Sequence, residues 1–600
     1  MDNSQMTPPA GPRFGRMMGG TPAVKPKDMR GTLRRLWDLT EGHRQGIGII
    51  MLLSAFASAS AILSPLIIGD AVNRIDSGNY ASWVLALLFA LYLTDWLVRF
   101  LQQFFMASIG QKIILHIRKT LFAAMKDLPL AFFDRRQHGE LMSRLTNDVD
   151  NISTTISDSL SQLMVYGFTI LGVFGIMVYL NWILTCVTMV SVVLVFFLTK
   201  AVTRRTRKLF SRQQAILGQL NGQVEESISG LSIVKSYCRE QKMIEQFARN
   251  NENFCAVATN ALICSGYLMP IMNVINNLGY VGIAVVSGIM AANGLITVGM
   301  ISSFLLYSRQ FSRPFVDIAN IYNNFQTAVA GAERIFEVLD EQPEPADAPD
   351  ALPLTTARGD ITLDHITFGY VSDRPILKDV SLHVPAGTRV AIVGPTGAGK
   401  TTIINLLTRF YDVDNGSILL DGHDLRNYRM SDLRRVFGVV LQDTSLFGMR
   451  VRDNISYGKE GVPLEKIQAA AAVAGADTFI RRLPQGYDTV LTQGGATLSQ
   501  GERQLLTIAR AVLVDAPILI LDEATSSVDT MTEQKIRKAM LSITQGRTSF
   551  IIAHRLSTIR DSDVIVLIQD GQIAEQGSHD ELMALNGKYA LMYRTQMGLE

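Results

Sequence analysis

The apolar positions of this chain follow two different rhythms. In the first half they form long runs: 47–68 carries no charge until Asp70, and similar stretches follow at 82–103, 163–180, 183–199, 266–290 and 296–307. A charge-free run of that length crosses a hydrocarbon core of about 30 Å as a helix. The pattern therefore predicts an α-helical transmembrane domain of six spans, with Asn181-Trp182 as a very tight turn between the third and fourth. Segments 200–222 and 253–262 keep helical spacing, so the membrane helices are expected to run on beyond the bilayer. In the second half short β-branched runs such as 390–393 and 518–521 alternate with helical segments, the signature of an α/β domain. Residues 339–349 are acidic and rich in proline and read as the start of a linker. The expected organisation is a disordered tail over 1–28, a membrane domain over 29–338, a linker over 339–358 and a second domain over 359–600.

Charge distribution orients the first half. Lys112, Arg118, Lys119, Lys126, Arg135, Arg136 and Arg144 crowd the connection between spans two and three. Arg204, Arg205, Arg207, Lys208 and Arg212 crowd the one between spans four and five, whereas the other connections hold little beyond Arg74. The positive-inside rule puts both long loops and both termini in the cytoplasm, with the plasma membrane as the expected location. Arg30-Gly31-Thr32-Leu33-Arg34-Arg35-Leu36-Trp37 is a short basic amphipathic segment suited to a membrane surface. Within the spans, Asp95 and Arg99 lie one turn apart near mid-bilayer. They read either as a self-neutralising ion pair or as a contact for a transported molecule. Asn273, Asn276 and Asn277 read either as cavity lining or as interhelical hydrogen bonders.

Composition adds a few exclusions. At 600 residues the chain is too long for one core. Its 48% hydrophobic content and mean hydropathy of +0.20 are high for a soluble enzyme. The net charge of +2 argues neither for nor against nucleic acid, and no nucleic-acid partner is expected. Cys186, Cys238, Cys255 and Cys264 include no C-x-x-C pair, which favours buried or free thiols over disulfides or a metal site.

Candidate chemistry sits in the second half. Gly394-Pro395-Thr396-Gly397-Ala398-Gly399-Lys400-Thr401 matches G-x-x-x-x-G-K-[ST], between an apolar strand and a helical run that opens at Thr402. The glycines let backbone N–H groups turn toward an anion, Lys400 reaches the terminal phosphates, and the Thr401 hydroxyl suits Mg²⁺. A second apolar strand ends in Asp522-Glu523. Asp522 there suits Mg²⁺ through water, and Glu523 suits the water that attacks the γ-phosphate. These pairings predict a site for a nucleotide and Mg²⁺.

Between the two motifs lies Leu498-Ser499-Gln500-Gly501-Glu502-Arg503-Gln504. With this ordered set the second half resembles the nucleotide-binding domain of an ATP-binding-cassette transporter, a P-loop NTPase. The first half resembles the six-helix exporter-type membrane domain fused to it, with Phe132-Phe133-Asp134, 139–144 and 230–236 similar to its cytoplasmic loop motifs. The resemblance implies that Tyr370 stacks on adenine, that Gln442 touches Mg²⁺, that Asp529 crosses a dimer interface, and that His554 meets the γ-phosphate. It also implies that Ser499 and Gly501 cap the ATP of a second domain, so that the chain works as a dimer. Two positions depart from the family pattern. Glu502 stands where the family has Gln, and Gln493 stands where exporters commonly carry an acid. Such departures resemble half-transporters that pair with a different half-chain. The reading is ATP-driven export of an amphipathic small molecule, drug or lipid; the alternative is an exporter-shaped importer or a lipid or peptide flippase. A soluble DNA-repair ATPase is excluded by the spans, and the intact Glu523 disfavours a non-pumping channel.

Overall fold

The computed structural model describes residues 28–39, 42, 44–78, 82–371, 374–442, 444–492, 494–495, 497–522, 530–552 and 559–597. The chain forms two compact units. One gathers the sequence up to Leu128 together with Arg136–Pro343; the other gathers Pro129–Arg135 with Glu344 onward.

The first unit is helical. Its elements are α1 (Met29–Asp38), α2 (Arg44–Asp76) and α3 (Ser82–Lys126), then α5 (His138–Leu180), α6 (Trp182–Ser229), α7 (Leu231–Ser236), α8 (Glu240–Gly266), α9 (Leu268–Ala292) and α10 (Val298–Leu339). The intervening α4 (Leu130–Asp134) belongs to the second unit. Asp28, expected in the disordered tail, instead N-caps α1: its carboxylate accepts from the Gly31 N–H at 3.0 Å. The tight turn at Asn181 has a similar cause, because the Asn181 side chain accepts from the N–H groups of Ile183 and Leu184 and starts α6. The expected fifth span, 266–290, is α9, and its extension beyond the bilayer is the separate helix α8. Pro270 in the first turn of α9 supplies no N–H to the Gly266 carbonyl, and the helix breaks there.

Among the described residues five helical stretches are long and apolar enough to cross a membrane: Arg44–Asp76, Ser82–Lys126, His138–Leu180, Trp182–Ser229 and Glu240–Ala292. The sixth expected span opens α10, but Arg309 and Arg313 interrupt its apolar run, so it falls short of that measure. Leu52, Phe89, Leu171 and Tyr179 present large apolar surfaces outward, as a lipid-facing bundle requires. Inside, α2 and α10 approach through glycine: a Cβ on Gly299 would sit 1.9 Å from the Gly69 carbonyl oxygen. Farther along α10, Arg334 donates to both oxygens of buried Asp148 on α5, at 2.5 and 2.9 Å. Arg144 on α5 is buried too and donates to the Arg334 carbonyl at 2.7 Å and to Glu140 at 2.6 Å. The four cysteines are free thiols, Cys264 half-buried and the other three exposed.

The second unit is α/β. An antiparallel sheet in the order β2-β1-β4-β5 contains β1 (Ile361–Phe368), β2 (Leu377–Val384), β4 (Asn415–Leu420) and β5 (His423–Asp424). A six-stranded sheet in the order β10-β9-β3-β8-β7-β6 contains β3 (Arg389–Val393), β6 (Phe437–Val440), β7 (Ile518–Asp522), β8 (Thr548–Ile552), β9 (Val564–Gln569) and β10 (Gln572–Gly577). It is parallel except for β10. Its two faces follow the period of two along each strand. Ala391, Val393, Leu519 and Leu521 join one core, where α12 (Gln500–Val514) packs through Leu505 and Ile508. Val390, Ile392, Ile518 and Ile520 join the other, shared with α11 (Lys400–Leu407) and the antiparallel sheet. Burial on both faces is why these strands read as continuous apolar runs.

Candidate nucleotide site

A parallel sheet aligns its strand ends, and the candidate residues leave from one edge. Ile392 of β3 pairs with Ile552 of β8, Ile552 with Asp522 of β7, and Leu521 of β7 with Val440 of β6. Gly394 follows β3, Asp522 closes β7, and Gln442 lies two residues past β6. Open α/β sheets bind ligands at this C-terminal edge.

The loop after β3 turns on glycine. Gly394, Gly397 and Gly399 have φ of 152°, 83° and 105°, conformations that L side chains rarely adopt. Space reinforces the choice: a Cβ on Gly394 would lie 2.2 Å from the Ile568 carbonyl oxygen, and one on Gly399 would lie 2.6 Å from Leu377 Cδ2. Pro395, Thr396 and Gly397 are exposed, while Ala398, Gly399, Lys400 and Thr402 are buried. Thr401 is exposed beside them on the first turn of α11. Lys400 Nζ donates to the carbonyls of Gly394 and Pro395 at 2.9 and 3.0 Å. Burial holds its ammonium below the usual lysine range, opposed by the carboxylate of Asp522. Asp522 itself is 5% exposed. A glycine cradle at a helix N-terminus with a desolvated ammonium fits a triphosphate. The Thr401 hydroxyl, the Gln442 amide and the Asp522 carboxylate are the hard oxygen donors that Mg²⁺ prefers.

Tyr370 lies two residues beyond the end of β1 at Phe368. Its hydroxyl accepts from Asn405 Nδ2 of α11 at 3.0 Å, and its ring meets Tyr411 edge-on at 5.0 Å. Tyr411 in turn donates to Asp134 Oδ2 at 2.6 Å. Asn405, Tyr411 and Asp134 escaped sequence reasoning as site neighbours, because nothing in their spacing links them to Tyr370. The R-F-Y-D turn at 409–412, directly after α11, was the available signal.

Ser499 is the N-cap of α12, with Gly501 buried in its first turn. The Glu502 N–H donates to Ser499 Oγ at 3.2 Å, while Glu502 Oε2 accepts from the Ser499 N–H at 2.9 Å and from its hydroxyl at 3.0 Å. This capping box starts the helix at Gln500. Among the described residues no hydrogen bond joins 499–502 to the loop 394–401. Gln493, Glu523, Asp529 and His554 lie outside the described residues. In the membrane unit Arg99 donates to Asp95 at 2.8 Å, so the two form the expected ion pair. Asn276 Oδ1 is buried without a hydrogen-bond partner, while Asn273 and Asn277 are exposed.

Residues 47–315 match the model of the ABC transporter transmembrane region, and residues 377–526 match that of the ABC transporter. The chain is 42% identical over 581 residues, 96% of each chain, to the uncharacterized ABC transporter ATP-binding protein YfiC of Bacillus subtilis. This chain belongs to the ABC transporters. The transporter is also 43% identical over 510 residues, 85% of its length and 80% of the other, to the fatty acid ABC transporter ATP-binding/permease protein of Mycobacterium tuberculosis. A bacterial Atm1-family ABC exporter solved with ATP bound superimposes at a TM-score of 0.74 and 32% identity, covering 92% of this transporter and 98% of that chain. The transporter thus binds ATP, and its hydrolysis is coupled to transport.

Proposed function

We propose that the transporter exports an amphipathic, lipid-like molecule across the plasma membrane, driven by ATP hydrolysis between two nucleotide-binding domains. The observation that carries the reading is the convergence of the glycine loop, Lys400, Asp522 and Gln442 at one sheet edge, in a chain that also holds long apolar helices. In this scheme the 394–401 loop and Lys400 hold the β- and γ-phosphates, and Tyr370 stacks on adenine. Thr401, Gln442 and Asp522 hold Mg²⁺, which screens the phosphate charge. Glu523 polarises the attacking water, His554 contacts the γ-phosphate, and Asp529 lines the dimer interface. Ser499 and Gly501 serve the ATP of the partner domain, a role supported by the absence of bonds from 499–502 to the chain's own loop among the described residues. Both termini and the ATPase unit lie in the cytoplasm, a topology supported by the basic loops.

The partner we infer is a different half-transporter. Glu502 commits the Ser499 hydroxyl to a carboxylate and offsets the helix N-terminal field, so this chain lends its partner a weak cap. Cargo with a charged or polar end is supported by the polar residues of α10, where Arg309, Arg313 and Asp317 recur every four positions and Tyr166 donates to Asp317 at 2.8 Å. The name of the mycobacterial relative, a fatty acid transporter, agrees with such an amphiphile. The test is Glu523→Gln in the assembled transporter. ATP binding is expected to persist while turnover and uptake of labelled fatty acid into inverted vesicles cease; unchanged turnover would refute the scheme.

A further inference from the structure

The basic segment 30–37 lies in α1 and takes no part in the nucleotide chemistry, yet its two sides are committed differently. Asp28, Thr32 and Arg35 recur at i, i+4 and i+7 and form one stripe; Arg30, Arg34 and Trp37 recur in the same way on the opposite side of the helix. The first stripe is fastened to the last two turns of α10. Asp28 donates its N–H to Glu333 Oε1 at 2.8 Å, and Arg35 donates through Nη1 and Nη2 to the two oxygens of Asp340, both at 2.6 Å. The Arg35 guanidinium also lies over the Phe336 ring, 4.0 Å from its centroid, and Thr32 is buried. Asp340 is the C-cap of α10, so this clamp closes where the helix gives way to the linker. The second stripe faces outward: Arg30, Arg34 and Trp37 are exposed. Arg44, which opens α2 just ahead of the apolar run 47–68, stands over the Trp37 ring at 5.7 Å. That contact sets Trp37 where the first span leaves the hydrocarbon, the depth that amphipathic rings prefer. Asp38, the one acid within α1, lies 3.8 Å from Arg44, so the outward stripe is cationic.

We propose that the outward stripe of α1 binds anionic phospholipid head groups at the membrane surface, and that lipid held there keeps the Arg35–Asp340 clamp on the end of α10 closed. Two features commit the stripe to lipid and not to a soluble anion. A free phosphate uses only the two arginines, whereas a lipid surface takes the arginines and the exposed indole together. The stripe is also tethered to the bilayer, because only residues 39–43 separate α1 from the first span, and tethering keeps the local concentration of surface high. Coupling to the clamp follows from the helix itself. At ten residues α1 is marginal alone in water, and the clamp's ion pair is exposed on both partners, so by itself it orders the segment weakly. The two stripes lie on opposite sides only while the segment is helical. Lipid that orders α1 through Arg30 and Arg34 therefore presents Arg35 to Asp340 with less freedom left to lose. Each arginine near an anionic surface tightens the attraction by about fivefold, and the two together suffice to bias the segment.

The test uses the assembled full-length transporter in nanodiscs of phosphatidylcholine alone and of phosphatidylcholine mixed with phosphatidylglycerol. Hydrogen exchange of residues 29–38 and 333–340 is followed together with ATP turnover. In wild type, phosphatidylglycerol is expected to slow exchange in both segments by about tenfold and to raise turnover by about twofold or more. Arg30→Gln combined with Arg34→Gln is expected to abolish both effects and to leave the phosphatidylcholine values unchanged. Asp340→Asn and Arg35→Gln open the clamp from either side, so that one misfolded variant does not shield the outcome. Both are expected to keep the lipid protection of 29–38 and to lose that of 333–340 along with the gain in turnover. No difference between the two lipids in wild type, or a wild-type difference in the doubly substituted chain, would overturn the lipid role. The same response to glycerol phosphate in phosphatidylcholine discs would overturn it too, by marking a site for a soluble anion. A wild-type response of 333–340 in both clamp variants would overturn the link to α10.

Discussion

A carboxylate at position 502 decides where one hydroxyl proton points. Carboxylates accept and never donate, so the Ser499 O–H turns toward Glu502 at 3.0 Å and away from whatever the helix end faces. An amide there keeps the capping box but leaves the field of the helix N-terminus uncancelled. Glu502→Gln is therefore expected to tighten ATP at the partner's site by about two- to fivefold, the worth of one charge at a helix end, as read by nucleotide retention in the assembled transporter. A second residue-scale prediction concerns acid. Arg389, the first residue of β3, donates to Asp563 at 2.7, 2.9 and 3.1 Å and holds its carboxyl below the usual range, mainly through the side-chain hydrogen bond. A depressed carboxyl stabilises the fold above its unfolded value near 4 and loses that contribution as pH falls through the lower folded value. Because 44% of the Asp563 side chain is exposed, the contribution is less than about 1 kcal/mol. Asp563→Asn should lower the melting temperature slightly at neutral pH and flatten its decline between about pH 5 and pH 3.

At the scale of elements, the phosphate loop is strand, turn and helix held by contacts that exclude side chains. Gly399 combines a φ of 105° with a neighbour, Leu377 Cδ2, 2.6 Å from where a Cβ would stand. Gly399→Ala must strain the backbone or displace Leu377, at about 1–3 kcal/mol, and the loop is the part free to distort. ATP affinity is expected to fall by about tenfold or more while circular dichroism stays near wild type; retained affinity would mean the loop tolerates a side chain there. Elsewhere, elements end where a local group intervenes. Asn181 caps α6, Pro270 breaks the helix between α8 and α9, and the Ser499–Glu502 box starts α12 at Gln500. Each was readable in principle from one or two residues. The apolar content of α10 was harder to judge, because its first turns read as a span while Arg309 and Arg313 fall inside the same helix.

At the scale of the whole molecule, the transporter carries one phosphate loop and one Ser499–Gly501 segment, and the latter has no bond to the former among the described residues. Outside the apolar spans, α7 buries none of its residues and leaves Ile233 63% exposed, with Tyr237 just beyond it 75% exposed. Exposed apolar surface of this kind favours a partner. Co-purification from native membranes is expected to bring down a second half-transporter, and the pair to hydrolyse ATP faster than the chain alone. A stable homodimer with full substrate-stimulated turnover would refute the heterodimer.

Properties of single residues and of short spacing were settled by the sequence. The length of a charge-free run fixes whether a helix can cross lipid, and glycines at 394, 397 and 399 fix a loop open to an anion, because both depend on a few adjacent residues. Tertiary structure alone decided which distant parts meet. Between β3 and β7 it inserted β8, which brings the ends of all three strands to one edge. It paired Arg334 with Asp148, and it placed Asp134 against Tyr411, 277 positions away. Such contacts depend on shape and burial summed over whole elements, and no local pattern of residues encodes them.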